Sequence, residues 1–291
     1  MSPPSPNIIE SFGLKGDPEP IAGGRGLCYL VGHAVLRPSD DEIQDQWISS
    51  LLGCLLQRPL TQYRLATPIP LSTQPGIFVS KGWTASSFVS GIASPTGRFI
   101  DRIKASRAFH ADLAQLVREK PEMIGTRPNR WTKADKVTWG ESRLHEVEGV
   151  NEAVFAHVKP LLDRLEQVWR PLPDGQQWQL IHGDLTGNIL FTDDAETPPA
   201  IIDYTFYWRP AEYANAIIVA DGLAWAGEGR ELVEWFATDG IRTQLLVRAI
   251  YWRYLTFAIN SDLDWIQRNL PNADYPGAVE TVCKVAADQS P

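Results

Sequence analysis

A histidine, an aspartate and an asparagine interrupt an otherwise apolar stretch at residues 180–191, LIHGDLTGNILF. Polar groups in such a frame are costly unless each has a partner or a task. His182 and Asp184 are separated by one glycine, and Asn188 follows four residues later. A carboxylate can accept a proton, and carboxylate and amide oxygens are good Mg²⁺ ligands. Taken singly, such residues are more often turn formers, so acid–base or metal chemistry is favoured only if the fold brings them together.

Short apolar runs around these residues predict the strands that position them. The runs are 180–181, 189–191 and 200–202, and a turn rich in aspartate and proline separates the last two. If those two strands pair as a hairpin, Phe191 faces Ala200 and Ile189 faces Ile202, and the open end of the hairpin lies just beyond the second pair.

That hairpin would bring together three polar side chains. Asn188 and Asp203 would emerge beside each other at its open end, and Asp184, on the preceding loop, would lie over the same end. An amide oxygen next to a carboxylate is a hard-oxygen site suited to Mg²⁺.

The remaining pattern divides into a strand-rich first part and a helical second part. Strands are predicted at 27–31, 34–37 and 77–80, with a glycine-first hairpin loop at Gly32-His33. A capping box at 39–42 predicts a helix whose buried face carries Ile43, Trp47, Leu51, Leu52 and Leu55. Further helices are predicted over 100–120, 153–169, 211–226 and 231–259. We place the boundary between the two parts near 80–84.

Composition excludes several functional classes. The chain has 291 residues, 44% of them hydrophobic, and no run approaches the ~20 apolar residues that a membrane helix needs. A formal charge of -8 argues against nucleic-acid binding, which needs a basic surface. The three cysteines have no metal-ligand spacing, and the first residues have no secretory pattern. We therefore expect a cytoplasmic protein with neither a nucleic-acid nor a membrane partner.

The motif at 182–188, together with Ile201, Ile202 and Asp203, resembles the catalytic and metal motifs of the aminoglycoside phosphotransferase and choline kinase family. That family is similar in fold to protein kinases. The resemblance implies a two-lobed α+β fold, with a small strand-rich N-lobe over 1–82 and a larger helical C-lobe over 83–291.

The resemblance also implies roles for the polar residues. Asp184 would accept the proton of an acceptor hydroxyl, and Asn188 with Asp203 would hold Mg²⁺ on ATP. His182 would order the loop. Independently of the resemblance, His110 shares an apolar stripe with Ile103 and Leu113 in the predicted helix, so we expect it to be a core histidine. The acceptor would be a small molecule that bears a hydroxyl group.

The nucleotide site implied by the resemblance lies in the N-lobe. Glu42 or Asp45 would anchor the arginine that binds the phosphates. The implied contacts are Gly23, Gly24 and Gly26 over the phosphates, Val35 against the adenine, Arg37 on the phosphates, and Ser80 and Gly82 at the hinge.

Departures from the family pattern leave alternatives open. Only three residues separate Asp184 from Asn188, where the family usually has four, and Arg37 replaces a lysine. The shorter loop keeps a second hypothesis open, a catalytically inactive nucleotide-binding scaffold. A protein kinase is disfavoured because no activation segment follows Asp203. Three acids, Glu141, Asp221 and Glu228, are either acceptor-pocket residues or ordinary helix caps and solvated groups.

Overall fold

The computed structural model of the protein describes residues 2–21, 26–93 and 97–289. The strands in this part of the chain are β1 (Glu19–Pro20), β2 (Tyr29–Val31), β3 (Ala34–Pro38), β4 (Arg64–Leu65), β5 (Val79–Ser80), β6 (Trp83–Ser87), β7 (Trp178–His182), β8 (Ile189–Leu190), β9 (Ala200–Ile201) and β10 (Phe206–Pro210). The α-helices are α1 (Pro6–Ser11), α2 (Glu42–Leu55), α3 (Phe99–Leu116), α4 (Arg130–Thr138), α5 (Glu152–Val168), α6 (Ala211–Trp225), α7 (Arg230–Phe236), α8 (Gly240–Ala258), α9 (Leu263–Asn269) and α10 (Tyr275–Asp288).

An antiparallel sheet of five strands, in the order β1-β2-β3-β6-β5, forms the first part of the molecule. The β2–β3 hairpin turns through Gly32, whose φ of 61° suits the first position of a two-residue loop. Ala34 and Leu36 alternate into a small core that α1 covers. The predicted hairpin is confirmed.

Helix α2 follows β3 but differs in phase from the prediction. Its N-cap is Asp41, whose side chain accepts a hydrogen bond from the Gln44 backbone N–H, so the predicted capping box at 39–42 is wrong. The predicted face is wrong in part, because Ile43 is 74% exposed while Ile48 is buried. Asp45 also lies on the buried face of the helix, where it is 1% exposed.

Strands β5 and β6 form a hairpin that belongs to the same sheet. Lys81 and Gly82 both have positive φ, 47° and 77°, as a two-residue type I′ turn requires. Strand β6 then runs alongside β3 to Ser87. The boundary expected after Gly82 therefore falls inside this hairpin, and the chain leaves the sheet after Ser87.

A helical core makes up most of the second part. Helix α8 is buried along nearly its whole length and packs against α4, α5, α6 and α10. The single helix predicted over 231–259 is two helices, because Asp239 caps the start of α8 and separates it from α7. The other predicted helices are present, and α3 ends at Leu116 rather than at 120.

Two small sheets carry the polar motif. Strand β7 pairs with β10, and β8 pairs with β9, which also pairs with β4. In the β8–β9 pair, Ile189 faces Ile201 rather than Ile202, so the predicted register is wrong by one residue. Phe191 does not belong to this strand pair. Its N–H donates to the Ile92 carbonyl at 3.0 Å, and its carbonyl accepts the Ile92 N–H at 2.7 Å.

The architecture is the expected α+β type, with a strand-rich part and a larger helical part that each have a hydrophobic core. Within the described residues, none of the helices is both long and apolar enough to cross a membrane.

Candidate active site

A chain of hydrogen bonds through two buried histidines orders the loop after β7. The Asp184 N–H donates to Nδ1 of His182 at 3.1 Å, so the other ring nitrogen, Nε2, carries the proton and donates to the Ile202 carbonyl at 3.2 Å. The His182 N–H donates in turn to Nε2 of His110 at 2.9 Å, and Nδ1 of His110 lies 3.2 Å from the Ser106 hydroxyl. Both rings therefore act as neutral acceptors that fix the backbone at Asp184.

Burial keeps these histidines uncharged. The pKa of His110 is lowered to about 3 by burial and by its neighbour His182, and burial also lowers the pKa of His182. His182 thus orders the loop, as expected. His110 does more than fill the core, because it accepts the bond that holds His182. Sequence periodicity placed His110 on a buried stripe but could not show this partner.

The loop geometry depends on two glycines. A Cβ atom at Gly183 would overlap the ring of Tyr207, so any side chain there would displace the loop. Gly187 has φ +84° and completes a tight turn in which the Asn188 N–H bonds to the Leu185 carbonyl at 3.0 Å. The turn absorbs the shorter spacing between Asp184 and Asn188.

Asn188 and Asp203 lie at one end of the β8–β9 pair, as predicted, although the register differs. The Ile202 N–H donates to the Asn188 carbonyl at 3.0 Å, which places the next residue, Asp203, beside that end. Asn188 Nδ2 donates to the Asp184 carbonyl at 2.7 Å. The amide oxygen Oδ1 therefore points away from that carbonyl.

These two residues fit a Mg²⁺ ion bound together with phosphates. Asp203 is exposed and held at φ +52°, a left-handed conformation that Asp tolerates better than most residues. No cluster of three or more His, Cys, Asp or Glu side chains that could hold a metal occurs among the described residues. Mg²⁺ commonly uses one or two protein oxygens and completes its shell with phosphates and water. The donor set therefore suits that kind of site.

Arg37 is anchored by Asp45, which decides between the two acids considered from sequence. Arg37 Nη2 lies 3.2 Å from Asp45 Oδ1. Burial would lower the pKa of Arg37, but the carboxylates of Asp45 and Asp203 raise it, so Arg37 also lies within the electrostatic reach of Asp203. Val35 lies two residues away on the same strand.

Of the three glycines expected over the phosphates, the structure describes only Gly26. Gly26 has φ +72° and precedes β2, whereas Gly23 and Gly24 lie outside the described residues.

Ser80 and Gly82, which were expected at the hinge, lie at the Pro38 end of β3 and not beside Val35. The β5–β6 turn lies beside Pro38, and the Ser39 N–H bonds to the Gly82 carbonyl at 2.8 Å. Val35 is three residues back along β3, roughly 10 Å at the rise of a strand. The segment that leaves the sheet after Ser87 lies at the other end of β3, next to Ala34.

Sequence reasoning missed the arginine that contacts Asp184. Arg253, on α8, donates from Nη2 to Asp184 Oδ1 at 2.9 Å and to Asp221 Oδ2 at 2.7 Å. Asp184 is 45% exposed, whereas Asp221 and Arg253 are buried. Nothing in the local pattern around residue 253 indicates this contact, because its partners are 69 and 32 residues away.

A cavity of about 230 Å³ opens beside this triad. Of the three acids considered from sequence, Asp221 lines it, whereas Glu141 pairs with Arg209 at 2.7 Å and Glu228 lies elsewhere. The other walls are mostly aromatic: Trp131, Trp225, Phe257, Trp265 and Tyr275, with Arg253, Thr186 and Thr256.

No protein family model matches the sequence, and no curated protein matches it. Solved structures do share its fold. The microcompartment-associated aminopropanol kinase is 17% identical with a TM-score of 0.62, and the match covers 97% of this chain and 95% of that one. Spectinomycin phosphotransferase, solved with ADP and spectinomycin, is 14% identical with a TM-score of 0.58 and coverages of 97% and 96%. Choline kinase from Streptococcus pneumoniae is 13% identical with a TM-score of 0.52 and coverages of 96% and 97%.

At these identities the likeness shows the fold. The chain has the kinase-like fold of aminoglycoside phosphotransferases and choline kinases, which confirms the fold expected from the motif. The proteins that share it here are phosphotransferases acting on small molecules.

Proposed function

We propose that this protein is an ATP- and Mg²⁺-dependent phosphotransferase that transfers the γ-phosphate to a hydroxyl group of a small molecule. The observation that carries the proposal is the position of Asp184. It lies on a loop ordered by His182, next to Asn188, and is one hydrogen bond away from a cavity lined by Arg253.

Asp184 is the proposed general base. Its carboxylate is half-exposed and oriented by Arg253, so it can accept the proton of an acceptor hydroxyl as the oxygen attacks phosphorus. Asn188 and Asp203 would hold Mg²⁺, which neutralises charge on the transferring phosphate. The protein contributes positioning and electrostatic stabilisation, and no covalent intermediate is required.

The nucleotide is proposed to lie between β3 and the loop at Asp184. Arg37 would bind the phosphates, Val35 would contact the adenine, and the glycines Gly23, Gly24 and Gly26 would cover the phosphate chain. We now place the adenine-binding hinge at residues 88–91, because β6 leaves the sheet there beside the Val35 end of β3. Ser80 and Gly82 lie too far from Val35 to share that role.

The acceptor is proposed to be a small amino alcohol. The cavity of about 230 Å³ is below the range of about 300–1,000 Å³ that drug-sized ligands occupy. Asp184, Asp221 and Arg253 together carry one net negative charge, and aromatic faces attract cations. The guanidinium of Arg130 already lies over two of the aromatic walls, 4.7 Å from the centre of the Trp131 ring and 4.4 Å from that of Trp265. Small size, the remaining aromatic walls and the two carboxylates favour an ammonium-bearing alcohol over an acid.

The inactive-scaffold hypothesis rested on the shorter loop. The turn at Gly187 returns Asn188 to within 2.7 Å of the Asp184 carbonyl, so the loop supports the enzyme better than the scaffold. We propose that the reaction takes place in the cytoplasm, because Cys28, Cys54 and Cys283 are thiols that form no disulfide within the described residues, as is usual in a reducing compartment.

Phosphoryl transfer can be measured directly. The protein is incubated with Mg²⁺ and ATP and with matched acceptors of similar size, namely an amino alcohol, a neutral diol and a hydroxy acid. Phosphorus NMR then detects a new phosphate ester. We expect the ester to form fastest with the amino alcohol. An ester formed only with the hydroxy acid would contradict the acceptor class, and no turnover with any acceptor would contradict the enzyme.

A further inference from the structure

One buried carboxylate, Asp45, is shared by two arginines. Arg37 and Arg127 each place Nη2 3.2 Å from the same oxygen, Oδ1. The second oxygen, Oδ2, accepts the hydroxyl of Ser39 at 2.7 Å. Asp45 is 1% exposed, so water provides little of its solvation and these three groups hold it in place.

The cluster has more positive charge than Asp45 can balance. Two guanidinium groups face one carboxylate, and like charges held this close repel each other. The next acid in reach of Arg37 is Asp203, the proposed metal ligand. An anion placed between the arginines and Asp203 would relieve the repulsion.

Arg127 reaches this cluster from a different part of the chain. It lies in the loop between α3 and α4, whereas Arg37 and Asp45 lie on β3 and α2. Its Nε atom is buried and has no hydrogen-bond partner among the described residues. A buried N–H without a partner is costly, and an arginine fork suits phosphate oxygens.

We propose that Arg127 is a second phosphate-binding residue, which contacts the phosphate chain of the nucleotide opposite Arg37. The inference rests on the proposed function, because it requires ATP in this cleft. Asp45 then acts as a hub that orients both forks, and ATP links the strand-rich part to the α3–α4 loop.

Binding of ATP and of adenosine to Arg127→Met separates this role from a structural one. Adenosine lacks phosphates, so its affinity should not change, whereas loss of charge-assisted hydrogen bonds should weaken ATP roughly 10- to 100-fold. Arg127→Lys should restore part of the loss, since it keeps the charge but not the fork. Arg118→Met is the matched control, an exposed arginine in the same loop. Thermal unfolding confirms that each variant is folded.

The outcomes separate the two proposals. Suppose that Arg37→Met weakens the binding of ATP but not of adenosine. The inference is then wrong if Arg127→Met weakens the binding of both ligands equally, or weakens ATP binding no more than the control does. In either case Arg127 serves only to hold its loop against α2. If the wild-type protein binds no ATP, the proposed function fails and this inference fails with it.

Discussion

Replacing Arg253 by methionine tests how the two carboxylates beside the cavity are held. The side chain is 8% exposed and donates from one nitrogen to Asp221, which is 6% exposed, and to Asp184, which is 45% exposed. Removing one partner of a buried ion pair costs about 3–5 kcal/mol, because the other charge stays buried without compensation. An ion pair with an exposed partner is worth at most about 1 kcal/mol. Most of the loss in Arg253→Met should therefore come from Asp221.

A double-mutant cycle measures the two contributions separately. The free energy of unfolding is determined by urea denaturation for Arg253→Met, for Asp221→Asn and for Asp184→Asn, and for each aspartate variant combined with Arg253→Met. We expect a coupling energy of about 2–3 kcal/mol between Arg253 and Asp221 and below about 1 kcal/mol between Arg253 and Asp184. Equal coupling energies for the two aspartates would refute the burial argument.

The pH dependence of Arg253→Met provides an independent check. Burial raises the pKa of Asp221 above 3.8 even with Arg253 present, and loss of the arginine raises it further. Above pH 3.8 the folded variant then binds a proton that the unfolded chain releases, so stability falls as pH rises. The deficit relative to wild type should be larger at pH 7 than near pH 4. A deficit that does not change with pH would contradict this assignment.

Three further perturbations test the loop and the metal site. Gly183→Ala should lower the free energy of unfolding by about 1–3 kcal/mol, since the new methyl group overlaps Tyr207, and should slow phosphoryl transfer; unchanged turnover would contradict the close approach. Because His110 stays neutral in the fold, it should contribute a loss of about 1.4 kcal/mol of stability per pH unit as pH falls below 6.5 towards its pKa of about 3, in addition to the contribution of His182. The slope of stability against pH in urea titrations should therefore be shallower in His110→Gln than in the wild type. Asp203→Ala should abolish the Mg²⁺-dependent tightening of ATP binding in calorimetry, and an unchanged metal dependence in the folded variant would remove Asp203 from the metal site.

The fold and the polar loop could be predicted because their signals are local. Residues 180–203 carry the polar groups and the short apolar runs within one stretch, and simple strand pairing places Asn188 and Asp203 at one end. The register was wrong because β8 and β9 have only two residues each, too few for side-chain alternation to specify it. The competing pairing of Phe191 with Ile92 comes from a distant part of the chain.

Other features depend on contacts that no local pattern carries. The face of α2 that packs inward is set by the elements around it, and this face carries Asp45, which pairs with Arg37. Arg253 belongs to a helix buried on nearly all sides, so periodicity could not single it out. The proposed hinge at 88–91 lies one hairpin later than the one expected at Ser80 and Gly82, because a Lys-Gly turn gives no sign of whether the next strand returns to the same sheet.

The central claim is that Asp184 is the base of a phosphoryl transfer, and Asp184→Asn tests it most directly. The variant keeps the shape of the side chain and leaves the proposed ATP contacts in place, but it lacks the basic oxygen. With Mg²⁺-ATP and the best acceptor found, we expect unchanged ATP affinity and a turnover rate lower by roughly 10²–10⁴-fold, the usual contribution of a positioned general base. Equal turnover in the two proteins, or a wild type that binds Mg²⁺-ATP but transfers no phosphate to any acceptor or to water, would contradict the account.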